Sequence, residues 1–346
     1  MFVILGLFFH ALGGFAAGSF YLPFKLIKTW KWETAWFVLG VAAWIITPIL
    51  MAWITVPNLI DVLFLANYGT KIYTFLFGVL WGIGGLTFGL SMRFLGMSLG
   101  TAVSLGFTAA FGTLIPPIYN GRWQELLQTK GGQFTLIGVF ICLVGIAVAG
   151  KAGMLKEKEL SSKEQKETVA EFNLRKGVVI AIISGVLSSC FAFGLQSGKP
   201  IADLALSSGA IDIFQNNAIL VWILWGGFAT NFIWTSFLNI KNKTFTDLIY
   251  KTTPNKSKNY LLAAAGGITW YFQFFLYGMG TTFLGEEYEF ASWTIHVSFI
   301  LLFSTAWGLY FKEWKGVSTK TMRTLWGGLS IIVLSALIIG AGNYIE

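Results

Sequence analysis

The placement of basic residues constrains this chain more than any other feature. Ten long apolar segments lie at residues 2–24, 34–56, 72–92, 97–118, 134–150, 177–197, 214–238, 260–281, 288–311 and 325–343. Each approaches the ~20 residues with which an α-helix crosses a ~30 Å hydrocarbon core. When the gaps between them are assigned alternately to two sides of a bilayer, twenty of the 24 Lys and Arg fall on one side. They occupy residues 25–31, Arg93, and the stretches 151–176, 241–258 and 312–323. The other side holds only Lys71, Arg122, Lys130 and Lys199. Loops rich in Lys and Arg stay in the cytoplasm, so both termini are expected outside. The expected protein is a polytopic inner-membrane protein.

Composition agrees. The chain is 55% hydrophobic and 12% charged, with 40 glycines; a soluble domain carries about a quarter charged residues. The formal charge of +8 then reads as a topogenic signal and a match to anionic lipid, so the expected partner is the lipid bilayer and not nucleic acid. Cys142 and Cys190 both fall inside apolar segments, which implies no disulfide framework. The first segment lacks a basic start and is too long for a signal-peptide core, so it reads as a retained helix. The abundant aromatic side chains are expected to face lipid or the interface.

The charged stretch 151–176 reads as a solvated cytoplasmic linker between two groups of five helices, residues 1–150 and 177–346. Trp81 aligns with Trp270, Gly89 with Gly278, and Phe94-Leu95-Gly96 with Phe283-Leu284-Gly285 at one shared offset. Five is an odd number, so two such halves lie in opposite orientations. The expected fold is an all-α membrane protein of ten transmembrane helices arranged as two inverted five-helix repeats, with a binding site near mid-membrane.

Several strings carry a family resemblance: Tyr21-Leu22-Pro23-Phe24-Lys25, Trp32-Glu33-Thr34, Trp81-Gly82-Ile83-Gly84, the run from Met92 to Gly100, Ala170-Glu171-Phe172-Asn173-Leu174, the run from Trp270 to Phe275, and Lys312-Glu313-Trp314. In order and spacing the chain resembles the bacterial L-rhamnose–proton symporter family, within the drug/metabolite transporter superfamily. The resemblance implies a secondary transporter of the bacterial inner membrane. It would import a small deoxy-sugar such as L-rhamnose with a proton, by alternating access, and without any cofactor. Sodium is the alternative coupling ion. The superfamily also exports drugs and metabolites, which is the second reading.

Ionisable and polar groups inside apolar spans are the default functional candidates. His10 and His296 are the only histidines, and imidazole titrates nearest physiological pH. Each lies about eight residues from the outer end of its segment, roughly 12 Å deep at 1.5 Å per residue. Both are candidates for proton coupling, and His10 also for a sugar hydroxyl. Glu286, Glu287 and Glu289 cluster at an outer boundary; Glu289 shares a helix face with His296, seven residues on, and joins the coupling set. Glu33 reads as a helix-start charge favoured by the dipole. Trp270, Gln273 and Tyr277 fall on one helix face, where an indole, an amide and a phenol suit the C–H surfaces and hydroxyls of a sugar. Gln196, Asn217 and Asn231 are further polar residues in apolar spans, as ligand groups or as interhelical glue. The pairs Gly14/Gly18, Gly78/Gly82 and Gly85/Gly89 have the spacing of close helix contacts.

One motif points elsewhere. Gly96-Met97-Ser98-Leu99-Gly100 fits the G-x-S-x-G pattern of hydrolases, which has meaning only on a strand–turn–helix elbow. An intramembrane hydrolase is therefore a remote alternative. No HExxH, P-loop or metal-ligand spacing occurs in the sequence, so no metal is expected.

Overall fold

The structure, a computed structural model, describes residues 2–119, 123–161, 163, 169, 171–249, 255–284 and 289–344. Helix dominates and no strand occurs among the described residues. The long helices are α1 (Phe2–Ser19), α2 (Trp32–Thr55), α3 (Tyr68–Leu95), α4 (Met97–Tyr119), α5 (Lys130–Glu159), α6 (Leu174–Ser197), α7 (Asn217–Asn242), α8 (Lys256–Leu284), α9 (Glu289–Tyr310) and α10 (Thr319–Tyr344). Six candidate spans, Ile4–Leu26, Trp32–Thr55, Tyr68–Leu95, Lys130–Glu159, Leu174–Ser197 and Asp212–Asn242, are long and apolar enough to cross a membrane. Helices suit that environment because every backbone polar group is satisfied within the segment.

Two compact units result, and each draws on both halves of the sequence. Unit 1 contains residues 1–18, 84–189 and 283–346; unit 2 contains 19–83 and 190–282. The division falls inside α1 and α3 in the first half and inside α6 and α8 in the second.

In unit 1, α10 packs along α5, while α4 packs on α5, α6 and α9. Their apolar core includes Leu99, Val103, Cys142, Ile146, Ile300, Leu329 and Ile332. One end of this unit gathers several helix termini. α3 stops at Gly96, whose φ of +87° is open to glycine at little cost. The next residue starts α4, and the buried Glu313 carboxylate accepts from the backbone N–H of Met97, at 3.0 and 2.8 Å to its two oxygens, and of Ser98 at 3.4 Å. An anion at a helix N-terminus meets both orphan donors and the positive end of the dipole. Trp314 Nε1 donates to Ser98 Oγ at 2.6 Å, and Lys156 Nζ donates to the Glu313 carbonyl at 2.5 Å. The Lys156 ammonium also lies 5.0 Å from the ring centres of Phe172 and Trp314. Arg93 pairs with Glu171 at 2.8 Å. At the start of α10, Glu159 accepts from Ser318 N, Ser318 Oγ and Thr321 Oγ1, each at 2.7 Å. These bonds, led by the backbone N–H of Ser318, hold the Glu159 carboxyl below the usual carboxylate range.

The stretch 151–176 is thus only partly a solvated linker. α5 continues through it to Glu159, and Lys156, Leu160 and Val169 are buried. Lys156 is hidden because its ammonium lies over two aromatic rings and has a carbonyl to meet.

In unit 2, α2 packs on α7 along a polar ladder. Thr34 Oγ1 and Thr244 Oγ1 both donate to Asn239 Oδ1, at 2.7 and 2.8 Å. Asn242 Nδ2 donates to Glu33 at 2.7 Å, so Glu33 is a buried helix-start charge with a side-chain partner. Asn259 Nδ2 donates to Thr29 Oγ1 at 2.6 Å and ties the start of α8 to the same end. At the opposite end, Asn217 Nδ2 donates to Thr55 Oγ1 at 2.8 Å, and Trp222 Nε1 to the Leu63 carbonyl at 3.2 Å. The two basic gaps of this unit therefore meet at one end, as the three of unit 1 meet at theirs.

Candidate functional site

In unit 1 the two histidines come together. His10, Gly14 and Gly18 repeat every four residues along one face of α1, and that face meets α9. A Cβ on Gly14 would overlap Phe299, and one on Gly18 would sit 2.9 Å from Phe303 Cβ. The two helices therefore approach as closely as glycine allows. Four residues before Gly14, the His10 ring lies edge-on to His296, with ring centres 5.8 Å apart at 67°. Both are buried, at 0% and 2% exposure. Phe9 stacks on Phe283 beside them, at 5.4 Å. Glu289 opens α9, seven residues before His296, and its side chain lies outside the described residues, as do Glu286 and Glu287.

This packing gives a direct expectation. Gly14→Ala forces a methyl into Phe299, and such overpacking costs about 1–3 kcal/mol. Gly150→Ala has nothing within 4 Å of the added methyl and serves as the control. Thermal melting in detergent is expected to show a clear drop for the first and none for the second; equal melting would contradict the close α1–α9 contact.

In unit 2, Trp270 is one ring of a buried aromatic cluster. It stacks on Phe20 at 4.4 Å and meets the edges of Trp36 at 5.4 Å and Trp44 at 5.3 Å. Trp44 also meets Trp81 at 6.2 Å, and Trp81 meets Phe191 and Phe274. Trp81 and Trp270, aligned between the two halves of the sequence, both touch Trp44. Other aromatic side chains, among them Trp53, Tyr68, Trp234 and Tyr310, are exposed, whereas this set is interior, its rings interlocking between the residue just after α1 and helices α2, α3, α6 and α8. Gln273 and Tyr277 continue the Trp270 face of α8 and are half-buried, and no hydrogen bond joins the Gln273 side chain to a described residue.

The remaining candidates separate. Asn231 accepts from Trp36 Nε1 at 2.9 Å and donates to the Gly82 and Gly227 carbonyls at 3.1 and 2.8 Å. Its amide is thus bound to α2, α3 and its own helix. Asn217 is held by Thr55, and Gln196 is exposed on α6. Gly78 and Gly82 lie against the backbone of Ile223 and Gly227, as their spacing suggested.

Nothing in the local sequence marks Trp44, Trp36 and Phe20 as members of this cluster. The apolar run 34–56 reads as one uninterrupted span, whereas a π-helical turn occupies Ala42–Ile46 within it. The signal was Pro48, which has no N–H for the carbonyl four residues earlier, that of Trp44. Thr47 closes the turn by donating both its backbone N–H and, at 2.7 Å, its hydroxyl to the Ala42 carbonyl.

Residues 1–344 match the family of L-rhamnose-proton symport proteins. The chain belongs to that family. Among its relatives, the L-rhamnose-proton symporters of Salmonella paratyphi A (strain ATCC 9150 / SARB42) and Salmonella gallinarum (strain 287/91 / NCTC 13346) are each 36% identical over 342 residues. In both cases the similarity covers 98% of this chain and 98% of the relative. As a member of the symporter family the protein is a multi-pass transporter and not an enzyme. The Gly96–Gly100 motif agrees. Ser98 sits at the start of α4 with its hydroxyl bound by Trp314 and its N–H by Glu313, which is a capped helix end and not a nucleophile elbow.

Proposed function

We propose that this chain imports a deoxy-sugar such as L-rhamnose together with a proton, by alternating access. The observation that carries the reading is the family match over residues 1–344, with relatives named L-rhamnose-proton symporters over 98% of their length. All ten long helices cross the membrane in this reading, as two inverted repeats of five. The helix membership of the units supports it: each takes the same members of both halves, α4 and α5 with α9 and α10 in one, α2 with α7 in the other. The orientation follows the basic residues, with both termini outside. A reporter that folds only in the cytoplasm is expected to be active when fused at residue 160 and inactive at the C-terminus. The opposite pattern would invert the topology.

In this reading the sugar is bound by the Trp270–Gln273–Tyr277 face, with Gln196, Asn217, Asn231 and His10 as further candidates, and His10, His296 and Glu289 respond to the proton. Asn231 is the weakest of these, since its amide already has partners. An exporter would favour an apolar aromatic pocket with one essential carboxylate; the Gln273 amide, one turn from Trp270 and unbonded among the described residues, favours a sugar. Gln273→Ala is expected to weaken L-rhamnose binding by one or two hydrogen bonds, about 1–3 kcal/mol, with unchanged insertion. Titration calorimetry on the purified protein measures it, and unchanged binding of every sugar tested would reduce this face to packing.

A further inference from the structure

The Trp44 indole N–H is buried, with the residue 1% exposed, and it has no hydrogen-bond partner among the described residues. Its neighbour Trp36 does have one, Asn231. A buried donor left unmade is costly, and a phenylalanine would fill much of the same space without that cost. The backbone that carries Trp44 is unusual as well. It lies in the middle of the π turn at Ala42–Ile46, a rare feature that is frequent at functional sites. Pro48 withdraws the helical donor from the Trp44 carbonyl, so α2 can give at this point. The ring stands edge-on to Trp270 at 66° and to Trp81 at 85°.

We propose that Trp44 is a sugar-binding residue: its indole N–H donates to one hydroxyl oxygen of the transported deoxy-sugar, while the Trp270 and Trp81 rings receive the sugar's C–H surfaces. The inference rests on the sugar-import reading above and adds to it a specific donor. The rings touch one another in this structure, so the sugar enters by displacing the Trp44 edge, and the π turn is where α2 yields. The unmade bond belongs to the empty state, and the ligand completes it. A neutral, hydroxyl-bearing ligand with an apolar face fits this combination; an anion or a quaternary amine does not use a single neutral donor among aromatic rings.

The test compares wild-type protein with Trp44→Phe, purified in detergent, by titration calorimetry with L-rhamnose and with analogues each lacking one hydroxyl. Trp44→Phe is expected to weaken L-rhamnose about tenfold, the value of one neutral hydrogen bond, and to melt no lower than wild type without sugar. One analogue is expected to bind both proteins equally, which marks the hydroxyl that Trp44 recognises. Equal affinity of the two proteins for L-rhamnose overturns the inference, as does a uniform loss across all analogues, which would make Trp44 a packing residue. If Trp44→Phe does not fold, the wild-type indole N–H resonance of Trp44, assigned with Trp44→Tyr, decides. A shift on saturation with L-rhamnose is expected, and an unmoved signal overturns the inference. A wild-type protein that binds no sugar sinks the import reading and this inference with it. Binding by wild type with no difference in Trp44→Phe sinks this inference alone.

Discussion

His10→Gln and His296→Gln are each expected to abolish sugar accumulation against a concentration gradient while leaving sugar exchange at equal pH largely intact. Symport requires that protonation and sugar binding favour the same state, so each must strengthen the other; this linkage holds whether or not the two ligands touch. A group that changes charge in the working pH range is needed, and histidine is the side chain whose unperturbed titration falls there. The structure buries the two imidazoles against each other at 5.8 Å. A proton on one ring is then felt by the other, because charges interact strongly where water is excluded. Gln keeps polar volume and removes the titration. Sugar-coupled proton flux in proteoliposomes measures the effect, with Glu289→Gln in the same series. Wild-type stoichiometry in all three variants would move coupling to another residue.

The largest loss of stability is expected from Glu313→Ala. The Glu313 carboxylate takes the first backbone donors of α4, and its own carbonyl holds the buried Lys156 ammonium. Hydrogen bonds to a charged group are worth about 1.5–3 kcal/mol each, so removing the carboxylate is expected to cost on the order of 3 kcal/mol or more. Glu313→Gln keeps an acceptor oxygen and is expected to lose less. Melting in detergent and folded yield report the difference. Melting temperatures unchanged in both variants would show that the α4 start is held by other means.

The helical character and the grouping of the basic gaps were legible in the sequence because hydropathy and charge act locally along the chain. The α1–α9 contact was partly legible too, since Gly14 and Gly18 announce a close approach, although nothing in their spacing names α9 as the partner. The aromatic cluster was not. Trp270 was visible on its helix face, but Phe20, Trp36 and Trp44 come from distant segments and reach it only through packing. The burial of Lys156 was equally hidden, because its partners Glu313 and Trp314 lie more than 150 residues away and a run of mixed charge ordinarily stays in water. Pro48 marks the irregular turn at Trp44, because it leaves the carbonyl four residues earlier without a helical donor.

The central claim is proton-driven sugar import, and uptake of radiolabelled L-rhamnose into proteoliposomes tests it most directly. Inward proton and inward sodium gradients are imposed in separate experiments. Accumulation above the external concentration is predicted with the proton gradient, collapsing on addition of a protonophore, and none is predicted with sodium alone. Absence of accumulation under the proton gradient, or accumulation driven by sodium alone, would contradict the account.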